Sequence, residues 1–117
     1  MKRSIDVIEH AGEIMKKVND AVLLTTKKDG QVNAMTISWG GMAIEWGKPL
    51  FITYVRESRF TKEFLDATGE FTVNLPMGEF DKKITAVCGA KSGRDMDKVA
   101  ELGLTLEDPE EVNVPGI

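Results

Sequence analysis

The chain has 117 residues, of which 42% are apolar and 29% are charged, and this is an ordinary composition for a soluble globular protein. That length suits a single domain that is large enough to bury a hydrophobic core, and we expect this domain to span residues 1–117. The net charge of −4 and the pI near 5.0 argue against general affinity for nucleic acid. No apolar run approaches the roughly 20 residues that a membrane span needs. A single cysteine excludes an internal disulfide and suits a reducing cytoplasm.

The first third of the chain predicts a helix followed by a β-hairpin. Over residues 5–18 the apolar positions recur every three or four residues, which predicts an amphipathic helix. Residues 21–26 and 32–39 predict two strands, and a pair of glycines ends the second strand. Between the strands, Asp29 and Gly30 form one of the strongest short-range hairpin signals.

The second predicted strand has two unlike faces. One face carries Val32, Ala34, Thr36 and Ser38, and the other carries Asn33, Met35, Ile37 and Trp39. The first face is small and hydroxylated, which makes poor core material and would suit a flat ligand with polar edges. The alternative is the solvent-facing side of an antiparallel sheet, where threonine is common.

The rest of the chain predicts further strands and short helices. Residues 50–55 form an apolar run that predicts a buried strand, and residues 70–76 predict a strand that proline stops. Helical stripes follow at residues 80–87 and 96–102. Hairpins between the early strands favour an antiparallel sheet or barrel over a doubly wound fold, so the predicted class is mainly antiparallel β with α. Four strands are too few to close a barrel, so further chain or a partner subunit would have to cover the exposed edge.

The stretch after the third predicted strand combines a helix start with cations. Ser58 is a suitable N-cap for the apolar helix that follows, and Gly69 suits the end of that helix. Arg56, Arg59 and Lys62 lie at the same helix start. Free N–H groups, hydroxyls and cations together make a natural seat for a phosphate group. The alternative is an ordinary serine cap with solvated basic side chains.

No motif for catalysis by side chains stands out. The sequence has no CxxC, HExxH, Walker or GxGxxG motif. Cys88 ends an apolar helical stripe, where a small core residue is more common than a nucleophile. The lone His10 has no neighbours at metal-ligand spacing, so no metal site is predicted. Binding groups without an acid, base or nucleophile are expected where a cofactor supplies the reactivity.

Four stretches occur in an order that resembles a known family. They are NAMTISW at residues 33–39, YVRESRFT at 54–61, GEFTVNLP at 69–76, and CG with KSGRD at 88–95. Together they resemble the flavin reductase-like family of FMN-binding split barrels, which includes flavoredoxin, over roughly residues 20–117. The ordered set carries the resemblance, since no single motif is as specific as a Walker loop.

The resemblance implies a dimeric split β-barrel that holds FMN non-covalently. Family members usually continue for some tens of residues with further strands, so this barrel is expected to lack its C-terminal strands. The family's strand lines the isoalloxazine and ribityl chain, its helix start lies near the phosphate, and a later loop closes over the cofactor. The implied FMN-binding residues are Asn33, Ala34, Met35, Thr36, Ile37, Ser38, Ser58, Arg59, Thr61, Lys62, Cys88, Gly89, Lys91 and Ser92.

The resemblance also implies a function. It predicts an FMN-dependent oxidoreductase of the cytoplasm, in which NADH or NADPH reduces the bound flavin. One alternative is a flavoredoxin-type electron carrier that exchanges electrons with a redox partner protein and does not react with NAD(P)H directly. A second alternative is a flavin-free structural domain. No nucleic-acid or membrane partner is expected.

Overall fold

A computed structural model describes residues 2–117. The strands of this part form two antiparallel sheets, one of three strands and one of two, and no closed barrel is present among the described residues. The predicted class, mainly antiparallel β with α, is confirmed. The elements follow in the order α1 (Ala11–Asn19), β1 (Val22–Lys28), β2 (Gln31–Ile37), β3 (Gly40–Glu45), β4 (Lys48–Thr53), α2 (Phe60–Thr68), β5 (Thr72–Asn74), α3 (Lys83–Ala90) and α4 (Lys98–Glu101).

Tight turns join both hairpins. β1 pairs with β2 through Asp29 and Gly30, whose φ angles are 50° and 79°. Positive φ at both central positions gives a turn whose twist matches that of the flanking strands. The hairpin predicted at this dipeptide is therefore confirmed. Trp46 and Gly47, with φ angles of 53° and 73°, make the equivalent turn between β3 and β4.

The β3–β4 hairpin corrects two expectations. Its first strand begins at Gly40, where the sequence predicts only the end of β2. A Cβ at Gly40 would run into the backbone oxygen of Ile52 on β4, so glycine permits the close approach of the two strands. A buried strand was expected at residues 50–55. A strand is present there, but the expectation that it is buried is wrong, because Leu50 and Ile52 are 37% and 43% exposed. A two-stranded ribbon has only one covered face, and Phe51 lies on it.

The three-stranded sheet, in the order β2-β1-β5, is covered on both faces. One face carries the larger core, in which α1 and β4 pack on the sheet through Val18, Val22, Leu24, Met35, Ile37 and Phe51. The other face packs Leu23 and Ala34 against Cys88 of α3. The face expected to be poor core material is therefore partly core, since Ala34 is fully buried.

Two helix starts differ from the expected ones. α1 begins at Ala11 rather than near residue 5, and Ile5 and Ile8 are 51% and 56% exposed. α2 begins at Phe60, with Arg59 at its N-cap and no side-chain capping bond, so Ser58 as N-cap is wrong. The predicted glycine end of α2 is confirmed. None of the helices within residues 2–117 is long and apolar enough to cross a bilayer.

The segment at residues 113–117 lies along β5 and is attached to it through side chains. Asn74 donates from Nδ2 to the Thr25 hydroxyl at 2.8 Å, and its Oδ1 accepts from the Ile117 N–H at 3.0 Å. Thr72 donates from Oγ1 to the Pro115 carbonyl at 3.0 Å. Val114 is buried. The segment is therefore held against β5 by side-chain hydrogen bonds from Thr72 and Asn74.

We expect Gly69→Ala to lower the free energy of unfolding by roughly 1 kcal/mol. Gly69 has a φ of 67° and no heavy atom would contact an added Cβ, so the cost comes from the left-handed backbone alone. Gly12→Ala in α1 is the matched control, because Gly12 also has open space but no positive φ. That control should raise stability by roughly 0.5 kcal/mol. Urea unfolding of both variants checks the pair, and equal effects would contradict the backbone explanation.

Candidate functional site

Two adjoining cavities lie beside β2, which is an edge strand of the larger sheet. The smaller has a volume of about 120 Å³ and the larger about 280 Å³. They share Met35 and Arg59 as lining residues. Together they reach the lower part of the range of roughly 300–1,000 Å³ that is typical of small-molecule sites.

Arg59 separates the two cavities and is fixed by the end of α3. Its Nη1 donates to the carbonyl of Gly89 at 2.9 Å, and its Nη2 donates to the carbonyl of Cys88 at 3.2 Å. Carbonyl groups in the last turn of a helix have no helical N–H partner, and the helix dipole favours a cation there. The guanidinium is therefore held in place by neutral groups and keeps its positive charge beside both cavities.

The first turn of α2 is joined to β2 beneath the smaller cavity. Asn33 donates from Nδ2 to the Thr61 hydroxyl at 2.9 Å, and both side chains are buried. Gly93 of the loop after α3 approaches the same point. A Cβ there would run into the Asn33 amide oxygen and come within 2.8 Å of the Phe60 ring. This close approach requires glycine, and it brings the loop against the start of α2.

Arg94 anchors the same loop from outside. Its Nη1 donates to the Ser58 carbonyl at 3.3 Å, and its Nη2 lies 3.3 Å from a carboxylate oxygen of Glu63. The guanidinium carbon also lies 5.2 Å from the centre of the Phe60 ring. Exposed contacts of this kind contribute little individually, but the three together fix the loop over α2.

Lys98 contributes a buried amine to the wall of the smaller cavity. It is only 3% exposed, and its Nζ donates to the carbonyls of Ala34 at 2.8 Å and Cys88 at 3.1 Å. Burial lowers the pKa of Lys98 below its ordinary value of 10.5, the nearby Cys88 opposes that shift, and the Arg59 charge adds to it. The amine joins β2, α3 and α4 at one point.

The larger cavity has aromatic walls and a strand edge. Trp39 and Tyr54 line it and are each 66% exposed, and the Arg56 guanidinium carbon lies 5.8 Å from the centre of the Trp39 ring. The Ala34 carbonyl points away from β1, since it accepts from Lys98. Backbone bonding alternates along an antiparallel edge strand, so the main-chain groups of Thr36 are expected to point the same way. A planar ligand with polar edges would find both stacking and backbone partners here.

The charge of the lining is one-sided. Arg56, Arg59, Lys91 and Lys98 line the cavities, whereas no aspartate, glutamate or histidine is among the described residues that line either one. Cys88 is fully buried, and burial raises the pKa of its thiol. No group of three or more His, Cys, Asp or Glu side chains within residues 2–117 could hold a metal ion. The arrangement can bind and orient an anionic aromatic ligand, and it offers no acid–base pair.

The structure brings most of the predicted binding residues together. Three of them do not line either cavity: the side chains of Ala34 and Cys88 are buried in the core, and Lys62 pairs with Asp66 at 2.6 Å on the surface of α2. The binding role of all fourteen stays a prediction. Those that line the cavities are Asn33, Met35, Thr36, Ile37, Ser38, Ser58, Arg59, Thr61, Gly89, Lys91 and Ser92.

Several lining residues were not predicted from the sequence. Trp39 and Tyr54 lie inside the stretches that carried the resemblance, so their neighbours were the available signal. Arg56 was expected with Arg59 and Lys62 at a phosphate seat, and it lines the larger cavity instead. Lys98 gave no signal, because a lysine in a short polar helix normally lies in solvent. Its burial depends on three segments that are distant in sequence. Phe60 and Gly93 also line the smaller cavity.

A double-mutant cycle should show that Asn33 and Thr61 are coupled. Thr61→Val should lower the free energy of unfolding by about 1–3 kcal/mol, because it leaves the buried Asn33 amide without its partner. In an Asn33→Ala background the same change should cost less, giving a coupling of about 1 kcal/mol. Gly12→Ala in α1 should combine with Thr61→Val additively. Additive behaviour of the Asn33 and Thr61 changes in urea unfolding would show that the bond contributes nothing.

The chain is similar to known proteins in sequence and in fold. The family model described as flavin reductase like domain matches residues 16–117. A search of the curated proteins gave no match. Among solved structures, flavoredoxin of Desulfovibrio vulgaris (Miyazaki F) matches with a TM-score of 0.72 and 28% identity, over 81% of this chain and 51% of its own. Flavoredoxin from Methanosarcina acetivorans matches with a TM-score of 0.68 and 30% identity, over 81% of this chain and 49% of its own.

A third solved structure supports the fold alone. It is an FMN-binding domain of a flavin reductases-like enzyme from Shewanella baltica OS155, which matches with a TM-score of 0.70 and 20% identity over 90% of this chain and 56% of its own. The chain thus spans about half the length of the solved structures that it matches. Because the family model covers nearly the whole of the described chain, the protein belongs to the flavin reductase like domain family.

Proposed function

We propose that this chain binds FMN non-covalently across the two adjoining cavities and takes part in oxidoreduction. The observation that carries the proposal is the pairing of a small cavity lined by cations without carboxylates and a larger cavity with aromatic walls. That pairing fits the chemistry of a phosphorylated, planar, polar-edged ligand. Two of the matching structures are flavoredoxins and a third is described as an FMN-binding domain.

The smaller cavity suits the phosphate end of FMN. The first turn of α2 contributes N–H groups at Phe60 and Thr61, which lie at the positive end of the helix dipole. Arg59 and Lys91 add positive charge, and Lys98 contributes a buried amine to the same wall. A phosphate group placed there would meet cations and backbone donors together, which is the usual basis of phosphate binding at a helix start.

The larger cavity suits the isoalloxazine ring. Trp39 and Tyr54 offer flat apolar surface, and the free edge of β2 offers backbone groups for the polar edge of the ring. When bound, FMN supplies the hydride and electron transfer. The residues of this chain hold and orient it, and the aromatic walls keep water from one side of the ring.

We also propose NADH or NADPH as the reductant, with an electron carrier as the alternative. The absence of a carboxylate or histidine among the lining residues of the described chain fits either role, since hydride transfer to a flavin requires no protein base. The flavoredoxins among the matching structures favour the carrier. Loaded protein that oxidises NADH or NADPH catalytically would select the first role. Loaded protein that reacts with neither, yet accepts electrons from a protein donor, would select the second.

Homodimer formation is a further part of the proposal. The β3–β4 hairpin carries large apolar side chains that are exposed in the single chain, among them Ile44 at 61% and Trp46 at 93%. A cluster of exposed apolar residues on a hairpin is typical of a surface that another chain covers.

We expect the mass in solution, measured by light scattering during gel filtration, to be twice that of the chain. Replacing Ile44 by threonine and Trp46 by asparagine, which tolerates the positive φ of that turn position, should shift the mass towards the monomer, and an unchanged mass would exclude this face.

We expect the protein to bind FMN, and we expect the phosphate group of FMN to contribute to the affinity. We expect the purified protein to quench the fluorescence of added FMN, with a much weaker effect on riboflavin, which has the same ring without the phosphate. Lys91→Ala should weaken FMN binding about fivefold, equivalent to about 1 kcal/mol for an exposed charge–phosphate contact, and should change riboflavin binding by less than about twofold.

Lys62→Ala is the matched control for that variant. Lys62 lies in α2, close in sequence to the residues that line the smaller cavity, but it pairs with Asp66 and lines neither cavity, so its loss should leave FMN affinity unchanged. A protein that FMN cannot turn yellow would remove the flavin proposal and favour a flavin-free structural domain. Equal losses for Lys62→Ala and Lys91→Ala would instead show that only general charge attracts the ligand.

A further inference from the structure

Lys98 is a buried amine without a charged partner. Its Nζ contacts two neutral carbonyl oxygens, those of Ala34 and Cys88, and no carboxylate within residues 2–117 lies within 4.0 Å of it. A buried cation normally requires an opposite charge, because desolvation without one is costly. The folded chain by itself therefore provides an incomplete environment for a protonated lysine at this position.

The hydrogen bonds of Lys98 match a neutral amine. An ammonium group has three N–H donors, whereas a neutral amine has two. Two carbonyl oxygens accept from Lys98, so both donors of a neutral amine are satisfied, whereas an ammonium has one donor left over. Lys98 also lines the smaller cavity, which is where an acceptor for a third donor could lie.

The charged groups around Lys98 come from three elements. Arg59 at the start of α2 and Lys91 in the loop after α3 are cationic, and Cys88 of α3 accepts from the amine through its carbonyl and carries the one titratable thiol nearby. β2 contributes only the carbonyl oxygen of Ala34. Burial and the Arg59 charge both disfavour the protonated form, and an anion in the cavity would favour it.

We propose that Lys98 takes up a proton from solvent when a phosphate dianion enters the smaller cavity, so that phosphate binding and protonation are linked at this amine. The neutral amine becomes an ammonium, its new N–H donor turns to the phosphate, and no other bond is made or broken. This inference rests on the proposed function for the identity of its ligand, FMN, and adds a property of the same site. It makes Lys98 the counter-charge that forms only on binding.

The direction of the pH dependence follows from linkage. In the free protein the pKa of Lys98 lies below 10.5, and a bound dianion raises it. Between those two pKa values the complex holds one more proton than the free protein. FMN affinity should therefore fall as pH rises through this interval, by up to about tenfold per pH unit. The phosphate of FMN has a second pKa of about 6, so it is already a dianion above pH 8 and does not contribute.

Calorimetry on the wild-type protein tests the proposal directly. FMN, inorganic phosphate and riboflavin are titrated at several pH values from 8 to 10, each in two buffers of different ionisation enthalpy. We expect proton uptake with FMN that grows with pH towards about one proton per site, a similar uptake with inorganic phosphate, and none with riboflavin. Riboflavin controls for ionisation of the ring. FMN binding without proton uptake across this range would overturn the proposal.

Variants assign the proton to Lys98. Lys98→Arg keeps a permanent charge, so it should bind FMN without proton uptake and with an affinity that does not change with pH. Lys98→Met should bind FMN about tenfold more weakly, also without uptake. Cys88→Ala should retain the uptake, because the thiol is not the proposed acceptor. Uptake that persists in Lys98→Arg would assign the proton elsewhere and overturn the proposal, and the wild-type measurement stands even if a variant fails to fold.

The outcomes separate this inference from the proposed function. If FMN binds without proton uptake, the flavin proposal stands and the Lys98 proposal falls. If FMN fails to bind but inorganic phosphate binds with uptake, the Lys98 proposal stands and the flavin proposal falls. If neither ligand binds, both fall.

A pH profile of stability adds a check without ligand. The free energy of unfolding should rise with pH towards 10.5 in the wild type relative to Lys98→Met, because the unfolded chain binds the extra proton.

Discussion

Two basic side chains, Arg59 and Lys98, donate to the backbone carbonyls at the C-terminal end of α3, and the site depends on these contacts. These carbonyls would otherwise lack partners, since no further helical turn follows them. Arg59 stands at the start of α2 and Lys98 at the start of α4, so the end of one helix fixes the starts of two others. Lys98 extends the link to β2 through Ala34. The cavity walls are thereby positioned by the folded chain before any ligand arrives.

The same contacts explain why the site remains electropositive. A carboxylate partner would neutralise the Arg59 guanidinium, whereas the carbonyl dipoles hold it in place and leave most of its charge uncompensated. The chain thus tolerates an electrostatic cost in its free state, which an anionic ligand offsets. Local imperfection at a functional site is a common feature of proteins whose other parts are well satisfied. Here it is concentrated at one guanidinium and one amine.

The sequence predicted features that depend on local backbone chemistry and missed those that depend on distant contacts. Asp29 with Gly30 and the glycine end of α2 follow from positive φ angles, which few residues tolerate, so they were correct. Gly40 was misread as the end of a strand, because its role lies in the close approach of Ile52 from β4. Lys98 is buried by contacts with residues 64 and 10 positions away in sequence, and no local pattern encodes that. The family resemblance indicated many of the residues that line the two cavities, although it could not distinguish Lys62, which pairs with Asp66, from the basic residues that line them.

The contacts that residues 113–117 make with β5, and that Lys98 makes with β2, affect how easily the sheet could pair with another chain. A bare strand edge is a template on which another chain can add a strand, and proteins usually guard against this. Here the guard uses side-chain bonds from Thr72 and Asn74, and on the opposite edge of the sheet Lys98 occupies the outward carbonyl of Ala34. A strand that added to β2 would have to displace Lys98 from that carbonyl, so the loss of this bond should lower colloidal solubility before it weakens the core.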